Sequence, residues 1–262
     1  MEYDFSGRTA LVCGSTQGIG LASARELARC GARVILLSRD AEKLKEVCHS
    51  LTSEFPRDHQ YRAVDFSAWQ QVENMAKDLV REGVTVHILL NNSGGPAAGP
   101  AATALPEEFI AAFNQHLICS HVLMQAFLPG MKTAGFGRII NIISTSVKQP
   151  LAGLGVSNTV RAAVGNWSKT LASELGPFGI TVNNVLPGAT LTGRLEQIIK
   201  NKSHKSGRTV DEITAEMLHE IPCGRFAKPE ETAAAVAFLV SNNASYINGI
   251  NLPVDGGRTG NL

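Results

Sequence analysis

The stretch Cys13-Gly14-Ser15-Thr16-Gln17-Gly18-Ile19-Gly20 restricts what this chain can become more than any other segment. The run Thr9-Ala10-Leu11-Val12 before it reads as a buried strand, and residues 21–28 after it carry apolar side chains at helical spacing. A strand that breaks into a glycine-rich turn and then opens a helix points backbone N–H groups at one place. That place lies beside the positive end of the helix dipole and favours a phosphate. Gly14 permits the tight turn, Gly18 lets the backbone approach an anion, and Gly20 lets the helix pack closely on its strand. The glycine spacing differs from the G-x-G-x-x-G of other dinucleotide-binding turns.

Strand-like and helix-like segments alternate through the rest of the chain. Strands are predicted at 33–37, 61–64, 86–90, 138–143, 181–186 and 250–254. Helices are predicted at 41–54, through Val72, Met75, Ala76 and Leu79, as one long stretch over 106–131, and at 158–175 and 229–240. Strands apolar throughout, each followed by a helix, imply an α/β fold: a Rossmann-type, doubly wound, seven-stranded parallel sheet with helices on both faces. A length of 262 residues with no linker or repeat suits a single domain over 1–262. The polar segment 189–222, rich in Lys, Ser and Thr, follows the sixth strand and is expected to hang over the carboxyl ends of the strands as a lid.

A net charge of +1 argues against nucleic-acid or anionic-membrane partners. The five cysteines are dispersed and odd in number, so a disulfide framework is not expected and a reducing compartment is. Glu2 and Asp4 stand where a signal peptide needs positive charge, and no run of 18 apolar residues exists, which together predict a cytoplasmic location. No metal site is expected: His116 and His121 lie five residues apart without a carboxylate cluster.

The strand ends converge on a nucleotide. Ser38-Arg39 occupies the end of the second strand, where NAD-preferring proteins place a carboxylate for the adenosine ribose. A hydroxyl followed by a guanidinium suits a 2′-phosphate, so NADP is expected ahead of NAD. Asp65 can accept from the adenine amino group, and Asn91 with Gly94 and Gly95 lets the backbone come close to the middle of the cofactor.

With Gly14-x3-Gly18-x-Gly20, Asp65, Asn91-Asn92-Ser93-Gly94, Gly137-Arg138-Ile139-Ile140-Asn141, Ile180-Thr181-Val182-Asn183, Pro187-Gly188 and Val254-Asp255-Gly256-Gly257 in place, the chain resembles the short-chain dehydrogenase/reductases, most of all the 3-oxoacyl-acyl-carrier-protein reductase type. The resemblance runs over essentially the whole chain. It implies cofactor contacts from Ser15, Thr16, Gln17, Ile19, Phe66, Ser93, Thr190 and Thr192, with Pro187, Gly188 and Thr192 at the nicotinamide carboxamide. It also implies a small-molecule carbonyl or alcohol substrate and a homodimer or homotetramer.

The catalytic set departs from the resemblance. The family uses a serine, a tyrosine thirteen residues on, a lysine four further on, and an asparagine. Ser144 matches the serine, but Ser157 stands for the tyrosine, Arg161 for the lysine and His116 for the asparagine. A serine hydroxyl cannot replace a phenol as acid, and Arg161 keeps its charge. His116 is the one member whose ordinary pKa lies near neutrality. The expected reading is therefore an NAD(P)-dependent oxidoreductase in which Ser144 and Ser157 polarise the carbonyl, Arg161 holds ribose or a substrate anion, and His116 supplies the proton, directly or through water. Two others stay open: a nucleotide-binding protein with lost or marginal hydride transfer, and a pocket that abstracts a proton beside a carbonyl.

Overall fold

Parallel strands buried on both faces need apolar residues in both phases of the pleat, and the first two strands supply them. In β1 (Thr9–Cys13), Ala10 and Val12 pack into one core while Leu11 and Cys13 pack into the other. In β2 (Arg33–Ser38), Val34 and Leu36 are set against Ile35 and Leu37 in the same way. With β3 (Gln60–Ala63), β4 (Ile88–Asn91), β5 (Gly137–Ile142), β6 (Ile180–Pro187) and β7 (Asn251–Val254), they form one parallel sheet in the order β3-β2-β1-β4-β5-β6-β7. The computed structural model describes residues 3–261, so Glu2 lies outside the described residues. Among these, no helix is long and apolar enough to cross a membrane.

The helices are α1 (Gly18–Arg29), α2 (Ala41–Glu54), α3 (Trp69–Arg81), α4 (Pro106–Phe113), α5 (Cys119–Ala134), α6 (Gly155–Leu175), α7 (Gly193–Ser206), α8 (Val210–His219) and α9 (Pro229–Val240). Helices α1, α2 and α9 cover one face of the sheet, and α3, α5 and α6 the other. One expectation needs correcting. The stretch 106–131 is not one continuous α-helix: a π-helical turn over Asn114–Ile118 separates α4 from α5, and within it the His116 carbonyl accepts the Ser120 hydroxyl at 2.7 Å. The segment 189–222, polar on average, is not irregular. It folds into α7 and α8, which bury Leu195, Ile199, Ile213 and Met217 together, with Ala189 and Phe226 packed beside them. These apolar residues are diluted among Lys, Ser and Thr, so average polarity concealed them.

A row of amides crosses the sheet on the side that receives α6. The strand registers pair Asn91 with Asn141, Asn141 with Asn184, and Asn184 with Asn251. The side chains follow: Asn91 Nδ2 donates to Asn141 Oδ1 (2.8 Å), Asn141 Nδ2 to Asn184 Oδ1 (3.0 Å), and Asn184 Nδ2 to Asn251 Oδ1 (2.8 Å). Ser168 of α6 accepts from Asn141 Nδ2 at 2.9 Å and lies 2.8 Å from Asn184 Oδ1, which docks the helix onto the row. Because the row is buried, each amide left without its partner is costly. Replacing Asn141 with Leu, which strands the Asn91 and Asn184 amides and Ser168 at once, is expected to destabilise the protein by about 3 kcal/mol in urea unfolding. A loss below about 1 kcal/mol would show that the row contributes little beyond its packing.

Candidate active site

The chain order of the sheet reverses at β1, so the crevice between the carboxyl ends of β1 and β4 is where such a sheet takes a ligand. The loops after the two strands are tied together: Asn92 Nδ2 donates to the Cys13 carbonyl at 3.2 Å and lies 3.4 Å from that of Gly14. Gly14 and Gly18 have φ of +60° and +56°, which favour glycine. A Cβ at Gly14 would meet Asn92 Nδ2 at 2.8 Å, and one at Gly20 would be driven into the Gly14 carbonyl. Gln17 stands at the N-cap of α1 without capping it, Ile19 is half-buried, and no acidic residue neutralises the first turn. The helix end thus faces the crevice with its N–H groups free for an anion. These features fit a dinucleotide phosphate.

The edges of the crevice carry the remaining cofactor candidates. Ser15 is buried, and both its N–H and its hydroxyl reach the Leu37 carbonyl. Thr16 Oγ1 lies 3.3 Å from Ser38 Oγ, which joins the glycine turn to the end of β2, and Arg39 beside it is exposed. Asp65 lies two residues beyond β3 and accepts from the Ser67 N–H at 2.9 Å, which holds its carboxyl below the ordinary range. Pro187 ends β6, and the Gly188 N–H donates to the Val254 carbonyl. Thr190 pairs its backbone with Ala227, and Thr192, the N-cap of α7, brings its methyl within 3.0 Å of where a Gly18 Cβ would stand. The segment 189–222 therefore begins close to the glycine turn.

At the inner end of the crevice, a narrow cavity is lined by Phe66, Asn91, Ser93, His116, Asn141 and Arg161, among others. His116 Nδ1 is 2.7 Å from Ser93 Oγ, and its Nε2 is buried without a hydrogen-bond partner. Arg161 projects from α6, donates from Nη1 to the Ile142 carbonyl at 2.6 Å, and leaves Nε buried and unpaired. The expectation that His116 titrates near neutrality is corrected here. Burial, together with the neighbouring Arg161 cation, pushes it down to about 2, so the imidazole is neutral and is no cationic acid. Burial and Arg194 bring Arg161 down to about 10, still charged at neutral pH.

The structure brings His116 and Arg161 together with Ser93 and Asn91. Ser144 and Ser157 are half-buried and do not line that cavity. Ser144 Oγ accepts the Ser146 N–H at 3.1 Å, which leaves its hydrogen free to donate. Gly94 uses its carbonyl to accept from Gln115 Nε2 at 3.0 Å. Sequence reasoning missed Arg194, which reaches from α7 to donate to the Pro96 carbonyl at 2.7 Å, across Gly95. The Thr192-Gly193-Arg194 run at the start of α7 is its only signal. Reasoning from the chain also missed the Ser93–His116 pair, which depends on the π-helical turn.

A family model described as enoyl-(acyl carrier protein) reductase matches residues 14–259. NADPH-dependent reductase BacG of Bacillus subtilis is 32% identical over 96% of this chain and 98% of the relative. The 3-oxoacyl-[acyl-carrier-protein] reductase FabG of Rickettsia bellii is 32% identical over 97% of this chain and 98% of its own length. The crystal structure of L-sorbose reductase from Gluconobacter frateurii, complexed with NADPH and L-sorbose, matches with a TM-score of 0.94 and 32% identity over 100% of both chains.

Two outcomes follow from this geometry. Gly20→Ala forces a Cβ against the Gly14 carbonyl; it is expected to weaken NADPH binding at least tenfold by fluorescence titration, and unchanged affinity would show that the turn gives way easily. His116 takes up a proton on unfolding, since its folded pKa lies far below the ordinary 6.5. Its contribution is present above pH 6.5 and declines as pH falls, by about 1.4 kcal/mol per unit. Urea midpoints at pH 7.5 and 5.0 should therefore separate more in the wild type than in His116→Gln; equal separations would place the imidazole's folded pKa near its ordinary value.

Proposed function

The chain belongs to the short-chain dehydrogenase/reductase family of NAD(P)-dependent oxidoreductases, and from that premise we propose that it is an NADP(H)-dependent carbonyl reductase working with an altered catalytic set. The carrying observation is the intact glycine cradle beside a cavity walled by Arg161 and His116. Gly14, Ser15, Thr16, Gln17, Gly18, Ile19 and Gly20 would hold the pyrophosphate side of the cofactor. Ser38 and Arg39 would take the 2′-phosphate, and Asp65 with Phe66 the adenine. Asn91, Ser93, Gly94, Pro187, Gly188, Thr190 and Thr192 would hold the nicotinamide half. When bound, the cofactor supplies or accepts the hydride.

The chain's own residues do the rest. Ser144, whose oxygen is occupied by the Ser146 N–H, donates its hydrogen to the carbonyl oxygen, and Ser157 does so from the position of the family tyrosine. Arg161 takes the binding half of the family lysine's role as a permanent cation. Neutral His116 orients the Ser93 hydroxyl, so the product oxygen receives its proton from water. Neither serine has a pKa that makes it an efficient acid. That favours a slow enzyme, and it also supports the second reading, a nucleotide-binding protein without useful turnover.

Further support bears on assembly and location. Leu105 (63% exposed), Ile110 (59%) and Phe113 (40%) present apolar surface at and beside α4, which suits a homodimer or homotetramer. All five cysteines are free, which suits the reducing cytoplasm. NADPH is expected to bind at least tenfold more tightly than NADH, and Arg39→Ala to remove most of that preference, read by nucleotide fluorescence. Absorbance at the nicotinamide band across a panel of ketones, quinones and 3-oxoacyl thioesters then separates the readings: oxidation of NADPH supports the enzyme, and binding with no oxidation of any member supports the non-catalytic protein.

A further inference from the structure

Asp255, directly after β7, folds the backbone into a tight turn. Its Oδ1 accepts the Gly257 N–H at 3.0 Å, its Oδ2 the Thr259 N–H at 2.9 Å, and its carbonyl the Arg258 N–H at 3.4 Å. The turn is packed hard against its surroundings. A Cβ on Gly188 would meet Asp255 Cα at 2.7 Å, and one on Gly256 would meet Ile221 Cγ2 at 2.9 Å. The Cys223 N–H donates to the Gly256 carbonyl at 3.1 Å.

Beyond the turn the chain makes two contacts in quick succession, with different partners. Half-buried Arg258 forms an ion pair with Glu220, the residue that caps the C-terminal end of α8. Asn261 Nδ2 donates to the Lys148 carbonyl at 2.8 Å, across 113 positions of sequence. Lys148 closes the short turn Thr145–Val147 that Ser144 opens. Glu220 belongs to the segment after β6 and Ser144 to the loop after β5, and these strands are neighbours in the sheet. Both segments therefore follow the carboxyl ends of the strands, the side on which such sheets take ligands. Three steps of chain from Arg258 to Asn261 span at most about 11 Å between Cα atoms. With both ends anchored, the two segments part no further than that reach and two side chains permit. A surface ion pair alone contributes little; here it acts together with the Asn261 bond and the Asp255 turn, across a short tether.

We propose that residues 255–261 are a strap that holds the end of α8 and the Ser144 turn at a fixed separation, and so set how bulky a carbonyl compound the crevice admits beside Ser144. The part played by Ser144 rests on the reductase reading, whereas the strap rests on its own contacts. Arg258 and Asn261 are positioning residues and touch no reacting atom. With the strap in place, compact carbonyl compounds are the favoured substrates. With it released, the two walls part, bulkier compounds enter, and compact ones lose their orientation.

The test separates the two parts. Arg258→Met removes the ion pair and Arg258→Lys keeps it; Asn261→Leu removes the donor from an exposed side chain; Glu220→Arg combined with Arg258→Glu exchanges the charges. Amide hydrogen exchange, read by mass spectrometry, follows residues 144–149 and 216–223. Turnover of NADPH is measured in parallel with ketones graded from small dialkyl to aryl. Arg258→Met and Asn261→Leu should each raise exchange at least threefold in both segments, including the one that the lost contact does not touch. Each should also raise the ratio of kcat/KM for aryl over small dialkyl ketones at least fivefold, through KM, with NADPH affinity unchanged within twofold. Arg258→Lys and the exchanged pair should stay within twofold of the wild type. Exchange that rises only in the segment whose own contact was cut would overturn the strap, and a ketone ratio that stays put while both segments loosen would overturn its part in substrate choice. A tenfold loss of NADPH affinity would likewise overturn that part by moving the effect to the cofactor. If the wild type reduces no ketone, the reductase reading fails, and exchange rising in both segments still sustains the strap while exchange rising in neither overturns it.

Discussion

The row of amides from Asn91 to Asn251, buried at its first three members, is the constraint on which the site depends. Backbone hydrogen bonds hold the strands in register but say nothing about where a covering helix sits along them. Ser168 supplies that information, because its hydroxyl meets Asn141 and Asn184 at one level of the sheet. Arg161 lies seven residues earlier on α6, two turns up the same face, and Ser157 one turn further. Fixing Ser168 therefore fixes the height at which both project above the strand ends. At the other end of the row, Asn91 lines the inner cavity, so one polar network touches both the sheet and the pocket.

Polar groups are retained here where an apolar core would be the simpler choice. An amide row demands partners at defined distances, and a slip of one residue in any of β4 to β7 would break it, whereas leucines would tolerate the slip. The inner cavity shows the opposite economy. His116 Nε2, Arg161 Nε and Asn91 Oδ1 are all buried without partners, and all three residues line the one cavity. Unsatisfied donors and acceptors gathered at one spot are what a polar ligand would complete.

Legibility in the sequence followed the range of the interaction. The turn at Gly14, Gly18 and Gly20 was readable because its demands are local: positive φ and a helix packed hard against its own strand. The order of strands and helices was readable from apolar runs for the same reason. The amide row was not, since its partners stand 43 to 67 residues apart and acquire meaning only through register. Asn141 stood in a recognised motif with no role to give it. His116 falls in a stretch predicted as one helix but π-helical at that point, and its neutrality comes from burial and from Arg161, forty-five positions away, neither of which composition reveals. Arg194 is not legible because the path of α7 and α8 is set by the small cluster around Leu195 and Met217, hidden in a segment that averages polar.

The wide turn at Asn114–Ile118 has a geometric result that reaches past His116. One extra residue in a helical turn advances everything beyond it by about 100° around the axis. Helices α4 and α5 therefore differ in phase. The azimuth at which Ile110 and Phe113 meet solvent and the azimuth at which Leu123 and Phe127 enter the core are set independently. A single insertion thus acts as a rotational joint, letting the outward face of the first segment change its aim without disturbing the inward face of the second.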